Sequence, residues 1–225
     1  MLSYDTRGPK GATRLVVFLH GYGANGADLL GLADVLSPHM PETVFAAPDA
    51  PEASPNPGGY QWFGIPEFDG TPPEQRDASI ERSAADIEEF LDHLMVQYDL
   101  TGEQVMLFGF SQGSMMSLRV GPRREDQLAG IVAFSGRLLD PEGLEAATVT
   151  RPPVLLIHGD RDPVVSPHHM PEAAEALGQA GFEVFGHVMR GTEHGIAPDG
   201  LEVALAFMRR MLALEEAAPP PDDED

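Results

Sequence analysis

The stretch Leu107-Phe108-Gly109-Phe110-Ser111-Gln112-Gly113-Ser114 restricts the folding of this chain more than any other. It reads as an apolar strand, a G-x-S-x-G turn and the first residues of a helix. A turn that tight strains the serine backbone, aims its hydroxyl away from the chain and requires small residues two before and two after it. Gly109 and Gly113 meet that requirement. A serine hydroxyl is a poor nucleophile by itself, so this reading also requires a histidine base and a carboxylate to orient it, both from elsewhere in the chain.

Apolar strands and helices alternate on either side. Thr13 to Leu19 is β-branched and nearly all apolar, as in a strand buried on both faces of a parallel sheet. His20-Gly21-Tyr22-Gly23-Ala24-Asn25-Gly26 follows as a glycine-rich turn before a helix expected over about 27–36. Residues 21–26 match G-x-G-x-x-G between strand and helix, the context of a dinucleotide site. The same glycines equally suit a loop that points an amide N–H at a developing oxyanion, and this turn alone does not decide between the two. Thr43 to Ala47 is a second buried strand. From there to about Pro73 runs a loop dense in proline, glycine and aromatics, including the single tryptophan, Trp62. Loops this long are often functional, and Trp62 is expected in a substrate-pocket wall, with capping of the core as the alternative.

From Asp77 to Tyr98, Ile80, Ala84, Ile87, Leu91, Leu94, Met95 and Tyr98 recur at helical spacing. Strands are expected at Glu103–Phe108, Ala129–Phe134, Pro153–His158 and Phe182–Val188. Helices are expected from Ser111 to Gly121, over about Pro167–Ala180 with Gly181 as the cap, and over about Leu201–Leu214. The alternation argues for a mostly parallel sheet with helices on both faces.

Composition narrows the chemistry. The 225 residues suit one domain, expected over 1–214, and no apolar run approaches the roughly 18 residues of a membrane span. Cysteine is absent, which removes disulfides, a thiol nucleophile and cysteine-bound metals. With 36 acidic and 14 basic side chains, the formal charge of −22 repels nucleic acid and anionic lipid surfaces. Six of the acids fall within the last eleven residues, 215–225, read as a solvated proline-rich tail. The start, Met1 to Gly11, is polar and lacks a signal-peptide apolar region, so a cytoplasmic protein without stable membrane insertion is expected. Oligomeric state is not legible.

Loops leaving the carboxyl ends of parallel strands share one edge of the sheet, so Ser111, Asp162 and His194 should converge there. Their order, Ser then Asp then His, is the one associated with α/β-hydrolases. Asp160 competes with Asp162 for the acid role and otherwise would hold its loop by bonding backbone amides. His20 and His158, each before a glycine at a strand end, are expected to bond loop backbone. A metal site at the adjacent His168 and His169 is disfavoured because neighbours point to different faces. The dinucleotide reading needs an acid ending the second strand, but Pro48 precedes Asp49 there, and it leaves the serine turn unexplained. A catalytically silent binding protein would not need the three residues together.

The chain resembles the phospholipase/carboxylesterase family of α/β-hydrolases, which includes bacterial carboxylesterases and acyl-protein thioesterases. The motifs that carry the resemblance are Phe18-Leu19-His20-Gly21-Tyr22-Gly23, Gly109-Phe110-Ser111-Gln112-Gly113, His158-Gly159-Asp160-Arg161-Asp162-Pro163-Val164-Val165 and His194-Gly195. The resemblance implies a Ser111–His194–Asp162 triad, an oxyanion hole from the backbone N–H groups of Gln112 and Tyr22, and hydrolysis of a small ester or thioester without metal or cofactor. Tyr22 stands where the family often has leucine, and Ser114 where it has a glycine or small apolar residue. The expected pocket is built from Trp62, Met115, Val164 and Val165. No long insertion after Phe134 offers a large lid, so an open site and short-to-medium acyl groups are expected.

Overall fold

The computed structural model describes residues 1–214; the acidic stretch 215–225 lies outside the described residues. Its strands are β1 (Tyr4–Arg7), β2 (Arg14–Leu19), β3 (Thr43–Pro48), β4 (Glu52–Ala53), β5 (Tyr60–Gln61), β6 (Val105–Phe110), β7 (Gly130–Phe134), β8 (Val154–Gly159) and β9 (Val184–Met189). Its α-helices are α1 (Gly26–Leu30), α2 (Ala33–Leu36), α3 (Pro66–Asp69), α4 (Pro73–Tyr98), α5 (Gln112–Val120), α6 (Leu144–Ala147), α7 (His169–Gln179) and α8 (Pro198–Met211).

Seven strands form one sheet in the order β1-β3-β2-β6-β7-β8-β9. Every pairing is parallel except the one between β1 and β3. Strands β3, β7 and β8 are buried along their full length, as their continuous apolar runs require when helices cover both faces. Alternate residues supply two cores. Leu15, Val17, Leu107, Ile131 and Leu156 pack with residues of α4, α5 and α7. Val16, Phe18, Phe108, Val132 and Ile157 pack with residues of α1, α2 and α8 on the other face. On that second face Phe45, Phe18, Phe108 and Phe134 touch in sequence across four strands, with centroids 5.1–5.6 Å apart. Full burial of each such ring stabilises the fold by about 1.5–3 kcal/mol.

Several boundaries depart from the sequence-based expectation. The helix anticipated over 27–36 is two short helices that break at Gly31 and Leu32, where glycine weakens the run. Its start is fixed by Asn25, whose side chain accepts from the Asp28 amide while Asp28 accepts from the Asn25 amide. Helix α4 begins four residues earlier than its periodicity suggests, with Pro73 at its first position, where no N–H is needed. The polar start of the chain contains β1, an exposed edge strand.

Candidate active site

Strand β6 lies between β2 and β7, so the Ser111 turn opens at the centre of the carboxyl edge. Ser111 has φ 54° and ψ −115°, a strained conformation for a residue with a side chain. Its amide donates to Phe134 O at 2.9 Å, and its carbonyl accepts from Met115 N at 3.1 Å. The two flanking glycines are sterically required. A methyl group on Gly109 would overlap the Gly113 carbonyl, and one on Gly113 would overlap the Leu19 carbonyl at the end of β2. Close approach of β2, β6 and α5 therefore depends on residues without Cβ.

Three loops bring the expected side chains together. His194, in the loop after β9, places Nε2 3.0 Å from Ser111 Oγ. Its Nδ1 lies 2.7 Å from Asp162 Oδ2, in the loop after β8. The other carboxylate oxygen of Asp162 accepts from the amides of Val164 at 2.8 Å and Val165 at 2.9 Å. Burial pushes the Asp162 carboxyl up, but the His194 hydrogen bond and the two amides outweigh it and hold the group below the usual carboxylate range. Asp162 is thus ionised and aimed, which places the His194 proton on Nδ1 and leaves Nε2 to accept from the serine. Asp160, the competing acid, accepts from the Gly191 amide at 2.6 Å and ties together the loops that carry Asp162 and His194.

His158 bonds loop backbone as expected, and it also approaches the acid. Its Nε2 donates to Val165 O at 2.9 Å and lies 3.3 Å from Asp162 Oδ2, so two imidazoles face one carboxylate oxygen. Burial lowers the His158 pKa and favours the neutral ring. His20 holds loop backbone as expected: its Nδ1 donates to Gly21 O at 2.7 Å and its Nε2 accepts from Ala50 N at 3.0 Å.

A cavity of about 490 Å³ opens over Ser111 and His194, and Tyr22, Gln112, Met115, Val164 and Val165 line it. The Tyr22 amide has no acceptor among the described residues, and the Gln112 amide lies in the first turn of α5, where helices leave N–H groups unpaired. Trp62 does not join this wall. It is fully buried, its indole N–H donates to His20 O at 2.9 Å, and its backbone is clamped by Gln112 and Ser83. The large ring is used to seat the loop on the core, and the loop presents Phe63, Ile65 and Phe68 to the cavity instead.

The Gln112 side chain has a part that the sequence did not reveal. Its Oε1 accepts from Trp62 N at 3.1 Å and its Nε2 donates to Phe63 O at 2.7 Å. The residue after the serine therefore ties the aromatic loop to the nucleophile turn. The glycine-rich turn is stitched to the same loop through Gly23 N to Tyr60 O at 2.8 Å and Tyr60 N to Ala24 O at 2.7 Å. A methyl on Gly59 would overlap the Gly23 carbonyl, which explains why glycines recur there. The resemblance of residues 21–26 to a dinucleotide loop thus has a structural cause, since they pack against a β-ribbon and leave one face to the cavity.

A mostly parallel sheet with a strained serine at its central strand, hydrogen-bonded to a histidine and an aspartate from later loops, defines a serine hydrolase of the α/β-hydrolase class. The chain belongs to the phospholipase/carboxylesterase family, whose model matches residues 6–212. It is 29% identical over 201 residues to esterase YpfH of Escherichia coli (strain K12), covering 89% of this chain and 84% of that protein. It is 30% identical over 216 residues to acyl-protein thioesterase 1 of Saccharomyces cerevisiae, covering 90% of this chain and 94% of that one. Among solved structures it is similar to esterase PE8, with 40% identity and a TM-score of 0.88 over 94% of this chain and 99% of that one. Among the described residues no helix is long and apolar enough to cross a membrane.

Proposed function

We propose that Ser111, His194 and Asp162 are the catalytic residues of a carboxylesterase for short-to-medium acyl esters, within a single domain over residues 1–214. The observation that carries this reading is the hydrogen-bonded relay of 3.0 and 2.7 Å at the floor of the cavity. His194 Nε2 takes the Ser111 proton as Oγ attacks the ester carbonyl, and Asp162 holds the ring tautomer and stabilises the imidazolium. The carbonyl oxygen becomes an oxyanion held by the amides of Gln112 and Tyr22, each such donor contributing about 10²–10³ in rate. As the tetrahedral species collapses, His194 returns the proton to the departing alcohol. Water, deprotonated by the same ring, then attacks the acyl-enzyme and releases the acid.

The acyl-length proposal is supported by the modest volume of the cavity and by the apolar side chains around it. A cytoplasmic address is part of the same proposal, alongside the lack of any helix among the described residues long and apolar enough to cross a membrane. Ser111→Ala is expected to abolish hydrolysis of p-nitrophenyl butyrate and labelling by a fluorophosphonate while the circular dichroism spectrum is retained. Residual turnover in that variant at the wild-type rate would remove Ser111 from the mechanism. A p-nitrophenyl ester series of rising chain length should peak at short or medium chains. An acyl thioester belongs in the same series because of the similarity to the yeast acyl-protein thioesterase.

A further inference from the structure

The cavity over Ser111 is chemically lopsided. From the β2 side come Tyr22 and the loop with Phe63, Ile65 and Phe68, an aromatic and aliphatic wall. From the β7 and β8 side come Arg137, Ser166 and His169, along with Val164 and Val165. Arg137 lies in the loop that leaves β7, just after Ser135 and Gly136. A Cβ on its neighbour Gly136 would sit 3.3 Å from the Ser111 carbonyl oxygen, so the backbone that carries Arg137 passes beside the nucleophile turn.

The cations that line the cavity differ in their partners. Arg76, which also lines the cavity, is held by Asp77 at 2.8 Å, and His169 is held by Glu172 at 2.9 Å. Arg137 has neither a hydrogen bond nor an ion pair among the described residues. Arg137 is an exposed residue of the cavity wall, so its guanidinium is open to a ligand there. The cavity does contain one acid, Glu67, which arrives with the aromatic loop from the β2 side. An anionic substrate end would be repelled from that side and attracted to the other.

We propose that the site takes esters bearing a carboxylate, with Arg137 as the residue that recognises it and the aromatic wall as the seat of the apolar arm. This deepens the esterase reading above and rests on it. A guanidinium donates a planar pair of N–H groups that match a carboxylate in a bidentate fashion. A single cation in a field as negative as this one balances a monoanion; a dianion would leave charge uncompensated.

The test compares kcat/KM for two matched pairs at one fixed ionic strength. The first pair is the p-nitrophenyl monoester of adipic acid and p-nitrophenyl hexanoate, with the charge on the acyl arm. The second is 4-acetoxybenzoate and 4-acetoxybenzamide, with the charge on the leaving group. In at least one pair, Arg137→Gln is expected to lower the anionic-to-neutral ratio by about two- to fivefold, the upper part of the range for a solvent-exposed charge contact. Arg137→Glu should lower it further, and Arg137→Lys should restore most of it. The responding pair identifies the arm that carries the carboxylate. Equal ratios in the wild type and Arg137→Gln for both pairs would overturn the proposal. Failure of the wild type on all four esters, together with no fluorophosphonate labelling, would instead overturn the esterase reading. In that event Arg137 is judged by calorimetric titration of adipate monohexyl ester, where equal affinity in wild type and Arg137→Gln counts against it.

Discussion

Gly113 and Gly195 stand in two glycine motifs of the same site, yet a methyl group would affect them very differently. On Gly113 it would meet the carbonyl of Leu19 and, at 2.8 Å, that of His20, both backbone atoms of a central strand and its exit. On Gly195 it would meet nothing within 4 Å. Gly113→Ala is therefore expected to lose about 3 kcal/mol or more of stability in urea unfolding, the upper end for overpacking, and to lose fluorophosphonate labelling. Gly195→Ala should stay within about 1 kcal/mol of the wild type; similar losses in both would refute the steric account. His20 carries a different kind of constraint. Both of its ring nitrogens are used in the neutral form, Nδ1 donating to Gly21 O and Nε2 accepting from Ala50 N, and burial lowers its pKa. Below about pH 6.5 the unfolded chain binds a proton that the folded chain does not. The stability that depends on neutral His20 is thus complete above that pH and falls as pH drops below it, until the lowered folded-state pKa is passed. The urea midpoint should be lower at pH 5.5 than at pH 7.5. His20→Asn, which keeps an acceptor but does not titrate, should flatten the difference, His158 supplying the remainder.

At the scale of elements, legibility tracked burial. The doubly covered strands β2, β3, β6, β7 and β8 announced themselves as apolar runs, and α4 did so by its periodicity, because burial on one or two faces dictates residue type. Strand β1 gave no such signal: its residues are partly or wholly exposed, and its place is set by pairing with β3. The ribbon of β4 and β5 is two residues per strand, too short for any period to register. At the site, Ser111, Asp162 and His194 were legible because each sits in a glycine-marked turn after a strand. The Trp62 position was not, since the sequence shows an aromatic in a loop but not which way it faces. The Gln112 side chain was hidden for a similar reason, its partners being backbone atoms about fifty residues away. Gln112→Ala keeps the main-chain amide but strands the buried Trp62 N–H and Phe63 C=O. It should cost about 1–3 kcal/mol in urea unfolding for each group left unpaired. It should also lower kcat/KM for p-nitrophenyl butyrate while fluorophosphonate labelling of Ser111 persists. An unchanged urea midpoint would mean that these two bonds do not hold the aromatic loop.

The whole molecule carries a formal charge of −22, which counteracts compaction at neutral pH because carboxylates crowd one another more closely in the folded state. Six of the 36 acids lie in residues 215–225, outside the described residues, so most of the repulsion arises on the described surface. Ion pairs act in the opposite direction. Arg82 with Glu52 and Arg124 with Asp92 are examples, and each has at least one partner well exposed. Exposed pairs contribute about 0–1 kcal/mol apiece. With 14 basic side chains available, they leave most carboxylates without a cation. Salt weakens both contributions, and the larger one is the repulsion. Raising NaCl from about 0.01 M to about 1 M shortens the screening length from roughly 30 Å to 3 Å. The melting temperature at pH 7.5 should therefore rise across that range. A chain ending at Leu214 carries six fewer carboxylates and should show a smaller rise. A melting temperature that falls with salt would mean that the surface ion pairs, not the surplus of acid, dominate the electrostatics of this fold.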